Sequence, residues 1–116
     1  MVDPMAQAQV EAEIHRLSRR LDRVTEDVAA ASTRAAQGEV DYKLGYASAM
    51  LAAQGVKGTV PVKEATALLE VDEEFAEWKL ADAELRALQE TGRNLRAQLD
   101  ALRSINANVR SVVTNP

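Results

Sequence analysis

The apolar residues in the first half of the chain recur at alternating steps of four and three. The series consists of Val10, Ile14, Leu17, Leu21, Val24, Val28, Ala31 and Ala35, and Gly38, Tyr42, Gly45, Ala49 and Ala52 continue it in the same register. A seven-residue apolar repeat sustained over about six repeats predicts a coiled-coil helix, here from about residue 5 to 53. After Val28 the repeat changes from bulky residues to Ala and Gly. Small residues at these positions predict close approach of a partner helix.

A second series with the same spacing occupies the other half of the chain. Its members are Trp78, Ala81, Leu85, Leu88, Gly92, Leu95, Leu99 and Leu102. Beyond Leu102 the pattern leaves the expected position, Asn106, and continues through Ile105, Val109 and Val112, which predicts a shift of register. A glycine inside a helix costs about 1 kcal/mol relative to alanine, so Gly92 predicts a close contact at that point.

The stretch QGVKGTVP, residues 54 to 61, separates the two series. Gly55 is expected to end the first helix in a left-handed conformation. Thr59 or Val60 is the expected cap of the next helix, and Pro61 suits its first turn. The prediction is one domain over 1–116: a helix from about 5 to 53, a turn over 54–60 and a helix from about 61 to 112.

This pattern predicts an all-α fold, a long antiparallel helical hairpin that resembles a coiled coil. In such a hairpin each apolar series is covered on one side only, and we therefore expect the chain to associate with copies of itself. A monomer folded into a compact bundle would require a second break, and the sequence displays no second break of Gly or Pro.

Composition narrows the class of protein further. The 116 residues are rich in Ala, Leu, Glu and Arg and include no cysteine, which excludes disulfides and is compatible with a reducing cytosol. The N-terminal residues lack the pattern of a secretory signal. No stretch approaches the roughly 18 consecutive apolar residues of a membrane span. The expected location is the cytoplasm.

The net charge of −4 is unevenly distributed. Acidic residues concentrate between Pro61 and Leu85, and arginines predominate from Arg86 onward. Antiparallel folding places this basic half beside the start of the first helix, where Arg16, Arg19, Arg20 and Arg23 share one helical face. The predicted nucleic-acid-binding set takes three arginines of this face and four of the basic half: Arg16, Arg20, Arg23, Arg93, Arg96, Arg103 and Arg110.

Two interpretations of these charges remain open. Arginines beside a coiled-coil seam commonly keep it soluble or form salt bridges, and Arg19 with Asp22 or Arg23 with Glu26 has the spacing for a local pair. The alternative is a surface for phosphates, because the guanidinium group presents a planar set of donors that matches them.

Catalytic and metal-binding patterns are missing from the sequence. His15 has no cysteine companion, and the serines lack the context of a nucleophile. The acidic stretch EVDEEFAEW is expected to be a solvated or protein-docking surface. Tyr42 and Trp78 lie on the predicted seams, which favours core packing over stacking on bases. We predict no enzyme, no cofactor and no metal.

Three stretches carry a resemblance that covers roughly Val10 to Arg110. They are GEVDYKLGYASAMLAAQG, VKEATALLEVDEEFAEWKLADAELRAL and LRAQLDALRSINANVR. Together they resemble small helical proteins of tailed phages and, more distantly, the UvsY-type recombination mediators. The resemblance rests on pattern and helix order rather than on an invariant signature.

The resemblance implies a helical protein that assembles into closed oligomers, binds single-stranded DNA and helps to load a recombinase onto DNA covered by single-strand binding protein. Arg103 in LDALRS and the basic position at Lys43 are the closest matches to family positions. Lys43 joins the predicted nucleic-acid-binding set through this resemblance, because its own neighbours, Asp41 and Leu44, indicate only a polar flank of the helix. Lys43 stands alone where the family has a more basic cluster, and the chain is acidic, so binding is expected to depend on assembly. The alternative is a coiled-coil assembly or adaptor protein of a phage that binds no nucleic acid.

Overall fold

The computed structural model describes residues 4–114, and the side chains of residues 6–112. It is an all-α helical hairpin with the element order α1 (Pro4–Ala53), α2 (Val60–Glu70) and α3 (Asp72–Thr114). The predicted fold class is confirmed, and so are the bounds of the first helix to within a residue. No helix within the described range is both long enough and apolar enough to cross a membrane.

The connection between α1 and α2 differs from the predicted turn where α1 ends. Gly55 has no positive φ, so the expected left-handed end of α1 is wrong. Instead the turn closes through backbone N–H groups of Gln54 and Val56, which donate to Leu51 and Ala53. Thr59 caps α2 as expected, because its hydroxyl oxygen accepts a hydrogen bond from the backbone N–H of Val62 at 3.4 Å.

The segment predicted as one helix from 61 to 112 is interrupted at Val71. This residue leaves helical geometry with φ −114° and ψ 24°, and its N–H donates to Leu68. The first turn of α3 then contains Asp72, Glu73 and Glu74, which stabilise a helix N-terminus. This run of acids, for which the sequence predicts a solvated or docking surface, is also the sequence signal for the start of a new helix.

The chain divides into two compact units, which we describe separately. The first joins the chain up to Val28 with the chain from Leu88 onward, and the second is Ala29–Ala87. In the first unit, α1 and α3 run antiparallel and bury Leu17, Val24, Leu95 and Leu99 between them. Four more residues of the predicted seams pack against this cluster: Ile14, Leu21, Val28 and Leu102. The bulky half of the apolar repeat is therefore the core of this unit.

The predicted shift of register beyond Leu102 is wrong. Ile105 and Val112 are 48% and 45% exposed, whereas Asn106 and Val109 are half-buried. The seven-residue repeat thus continues through Asn106. The side chain of Asn106 hydrogen-bonds Glu11, although its Oδ1 atom is buried without a partner. A polar residue occupies the seam, and the pattern of large apolar side chains did not reveal it.

In the second unit the helices pack through small residues, as expected. Its buried residues are Ala31, Ala35, Ala49, Ala67 and Val71. A Cβ atom at Gly38 would lie 3.0 Å from the Cα atom of Trp78, and one at Gly45 would lie 3.0 Å from a methyl group of Val71. A side chain at either position would force its neighbour to shift by a few tenths of an ångström, so both glycines allow a closer approach of the helices.

An aromatic cluster covers the centre of the second unit. Tyr42 stacks on Trp78 with ring centroids 5.3 Å apart, and Phe75 meets both rings edge-on. The ammonium group of Lys79 lies 4.1 Å from the centroid of the Trp78 ring. These contacts confirm that Tyr42 and Trp78 contribute to helix packing.

Candidate nucleic-acid interface

The outer face of α1 in the first unit carries a row of cations. Arg16, Arg19, Arg20 and Arg23 are spaced at three and four residues, so their side chains project from the same side of the helix. All four are exposed, and together with His15 they line an open depression of about 440 Å³. We call these four residues the arginine face. His15 is exposed there.

Three members of the arginine face have no acidic partner. Among the residues that the structure describes, Arg19, Arg20 and Arg23 form no ion pair, and the local pairs with Asp22 and Glu26 that their spacing allows are not made. Like charges three and four residues apart repel each other along a helix. Within the described residues no acid offsets the repulsion among these three cations, and their guanidinium groups are exposed to solvent.

Arg16 is the paired member of the arginine face. It donates to Glu13, which lowers the pKa of that carboxyl, and the same hydrogen bond raises the pKa of Arg16. The pair is solvent-exposed on both sides. Exposed pairs of this kind contribute little to stability because water competes for both groups. A phosphate can therefore replace Glu13 at low cost.

Most of the arginines predicted as binding residues in α3 pair with acidic side chains of this chain. Arg93 donates to Glu90 through two nitrogen atoms, at 3.0 and 2.6 Å. Arg103 lies 3.8 Å from Asp100, a distance beyond a good hydrogen bond. Arg96 is exposed and forms no ion pair within the described part of the chain.

Arg110 connects the two helices near the ends of the first unit. Its guanidinium group donates to Glu11 at 2.9 Å. This hydrogen bond, with a smaller contribution from Gln7, holds the pKa of Glu11 below its ordinary value. Arg110 thus connects α1 with α3 through a pair as exposed as that of Arg16 with Glu13, so its stabilising effect is small.

Lys43 belongs to the second unit, apart from the other predicted positions. Its ammonium group lies 2.7 Å from a carboxylate oxygen of Glu39, one turn earlier on α1. The second unit carries six Arg or Lys against ten Asp or Glu and accounts for the net charge of −4, whereas the first has eight of each. The local surroundings of Lys43 are therefore the least favourable to an anion among the predicted set.

The structure thus brings Arg16, Arg20 and Arg23 together on α1 and adds Arg19, which the predicted set omits. Arg19 has the same spacing signal as its neighbours, so the sequence was sufficient to include it. Within the described residues there is no group of three or more His, Cys, Asp or Glu side chains arranged to hold a metal ion.

Comparison of the chain with protein-family models, with curated proteins and with solved structures found no match.

Proposed function

We propose that this protein binds single-stranded DNA as an oligomer and assists the loading of a recombinase, in the manner of a phage recombination mediator. The observation that carries the proposal is the arginine face, where three exposed guanidinium groups on one helical side lack acidic partners. Guanidinium groups match the geometry of phosphate oxygens. The resemblance to the mediator family supplies the choice of single-stranded DNA and of the recombinase.

Binding to the DNA backbone has a measurable dependence on salt. Each phosphate that is neutralised releases condensed counterions, so affinity falls as the salt concentration rises. We expect fluorescently labelled oligo-dT to bind at low salt and to dissociate progressively between 50 and 200 mM salt, concentrations at which such effects are typically large. Fluorescence anisotropy measures this. Absence of binding at micromolar protein and low salt would contradict the proposal.

Self-association is proposed through the second unit, because that unit exposes its large apolar residues. Val40, Leu44 and Leu51 lie along the outer side of α1 and are 48%, 65% and 66% exposed, while the residues buried in this unit are small. A contiguous apolar surface of this kind is typical of an interface. A second copy of the chain presents the same stripe and would bury it.

The test is the mass of the protein in solution. We expect light scattering to give an oligomer, and the double change Leu44→Glu with Leu51→Glu to lower the mass toward that of one chain, because two charges would be buried at the contact. Ser104→Glu with Ala107→Glu adds the same charge at exposed positions of the first unit and is expected to leave the mass unchanged. A monomer for the unaltered protein would refute association.

The alternative function is a coiled-coil adaptor that binds proteins and not DNA. The acidic, apolar surface of the second unit favours it, as do the ion pairs at Arg16, Arg93, Arg103 and Arg110. This alternative predicts an oligomer that fails to bind oligo-dT at any salt concentration. The anisotropy measurement therefore separates the two.

A further inference from the structure

A depression lies between α1 and α3 in the first unit, outside the arginine face. Its volume is about 240 Å³. Residues of both helices line it, and they are Val24, Thr25, Val28, Gln89, Gly92, Arg93 and Arg96. The floor is apolar and the rim carries an amide, a hydroxyl and two guanidinium groups. This combination fits a flat ligand with polar edges and a nearby negative charge.

Gly92 at the floor is not explained by the packing of the chain. A Cβ atom there would lie 3.7 Å from a methyl group of Val24 and 3.8 Å from a nitrogen of Arg96, which are ordinary contact distances. The close contact predicted for this glycine is therefore wrong. A Cβ atom added at Gly38, in contrast, would lie 3.0 Å from the Cα atom of Trp78. A glycine inside a helix is destabilising relative to alanine, so a glycine at a position where the methyl group of alanine would fit requires another reason.

The polar groups at the rim are available to a ligand. Arg93 is fixed by its two hydrogen bonds to Glu90, whereas Arg96 has no ion pair within the described residues and extends back over Gly92. The Thr25 hydroxyl donates to the carbonyl of Leu21, which leaves its oxygen free to accept. The amide of Gln89 has both a donor and an acceptor.

We propose that this depression binds one nucleobase of a single strand. The base lies against Val24 and Val28, the guanidinium group of Arg96 stacks on it from its place over Gly92, and Gln89 contacts its polar edge. Stacking on guanidinium planes is a general mode of recognition of unpaired bases. The inference rests on the proposed function and adds a base-binding pocket to a surface that otherwise contacts phosphates.

A strand without bases distinguishes this pocket from phosphate binding. Oligo-dT and an abasic strand of the same length have the same phosphates, so the arginine face binds both. We expect the unaltered protein to bind oligo-dT about tenfold more tightly than the abasic strand, as for a single stacked base. Fluorescence anisotropy at constant salt gives both affinities.

Two variants test whether the preference originates in the depression. Gly92→Leu fills it and Arg96→Lys keeps the charge but removes the guanidinium plane, so each is expected to reduce the tenfold ratio of the two affinities to near unity. Because Arg96 is exposed, Arg96→Lys is expected to fold, so it still tests the proposal if Gly92→Leu fails to fold. Gly38→Ala is the control, expected to lower the melting temperature and to leave the preference intact.

The outcomes separate the two proposals. Equal affinity for the two strands would overturn the pocket and leave DNA binding in place. A preference that survives both variants would also overturn it, because the base would then bind elsewhere. If neither strand binds, the proposed function fails and the pocket fails with it.

Discussion

Reversing Arg19, Arg20 and Arg23 to Glu is expected to weaken the binding of oligo-dT by roughly 100-fold or more at low salt. In a plot of the logarithm of the binding constant against the logarithm of the salt concentration, each phosphate contact to a single strand contributes about 0.7 to the slope. The loss of three contacts therefore makes the slope shallower by about two. Because these residues have no ion pair within the described part of the chain, their replacement breaks no contact that stabilises the fold.

The measurement is the affinity for oligo-dT at several salt concentrations, with circular dichroism to verify the helix content. Glu is a good helix former and the three positions are exposed, so we expect the helix content to be retained. A matched control changes Lys57, Lys63 and Arg86 of the second unit to Glu, which alters the net charge equally. Affinity that falls as far in the control would assign the effect to overall charge and contradict a role for the arginine face.

Arg110, which pairs with Glu11, provides a comparison with the unpaired arginines of α1. Arg110→Gln removes the hydrogen bond to Glu11 that connects α1 to α3, so its main effect is expected on the stability of the first unit. The pKa of Glu11 is lowered in the folded chain, and the contribution of this contact is therefore present above the ordinary pKa of a glutamate and is lost as the pH falls through the lowered value. Arg19, Arg20 and Arg23 have no such acidic partner within the described residues.

The sequence predicts the hairpin because a seven-residue repeat is a property of the helix itself. Leu17, Val24, Leu95 and Leu99 are all members of the predicted seams, and all four are buried. Local chemistry also predicts the cap at Thr59. These features depend on spacing within one helix or on contacts across a single turn, which a sequence displays directly.

Other features depend on contacts between residues far apart in the sequence, which form only when the helices pack. Val71 interrupts the helix where its side chain packs against Gly45, and the sequence gives no sign of that pairing. Asn106 stays in the seam because its side chain bonds Glu11 of the other helix. The acids that pair with Arg93 and Arg103 precede them by three residues, whereas Asp22 and Glu26 follow Arg19 and Arg23 by three, which is the less favourable order on a helix. Spacing permits a local ion pair but does not determine it.

Replacement of Leu99 by Ala is expected to destabilise the protein by about 3 kcal/mol. Leu99 is 1% exposed and lies in the cluster with Leu17, Val24 and Leu95, so the shortened side chain leaves a cavity that neighbouring helices cannot close. Urea unfolding followed by circular dichroism measures the loss. Leu80→Ala is the matched control, because Leu80 is 71% exposed and such positions usually change stability by less than about 0.5 kcal/mol.

The pair of leucine variants also tests how the chain is held together. Because α1 and α3 run without interruption through both units, we expect a defect at Leu99 to lower the stability of the whole chain in one transition. The fluorescence of Trp78, in the second unit, should then follow the same urea curve as circular dichroism. Two separate curves would show that the units unfold independently. A large, concentration-dependent effect of Leu80→Ala would mean that another copy covers Leu80, since the stability of an oligomer depends on protein concentration.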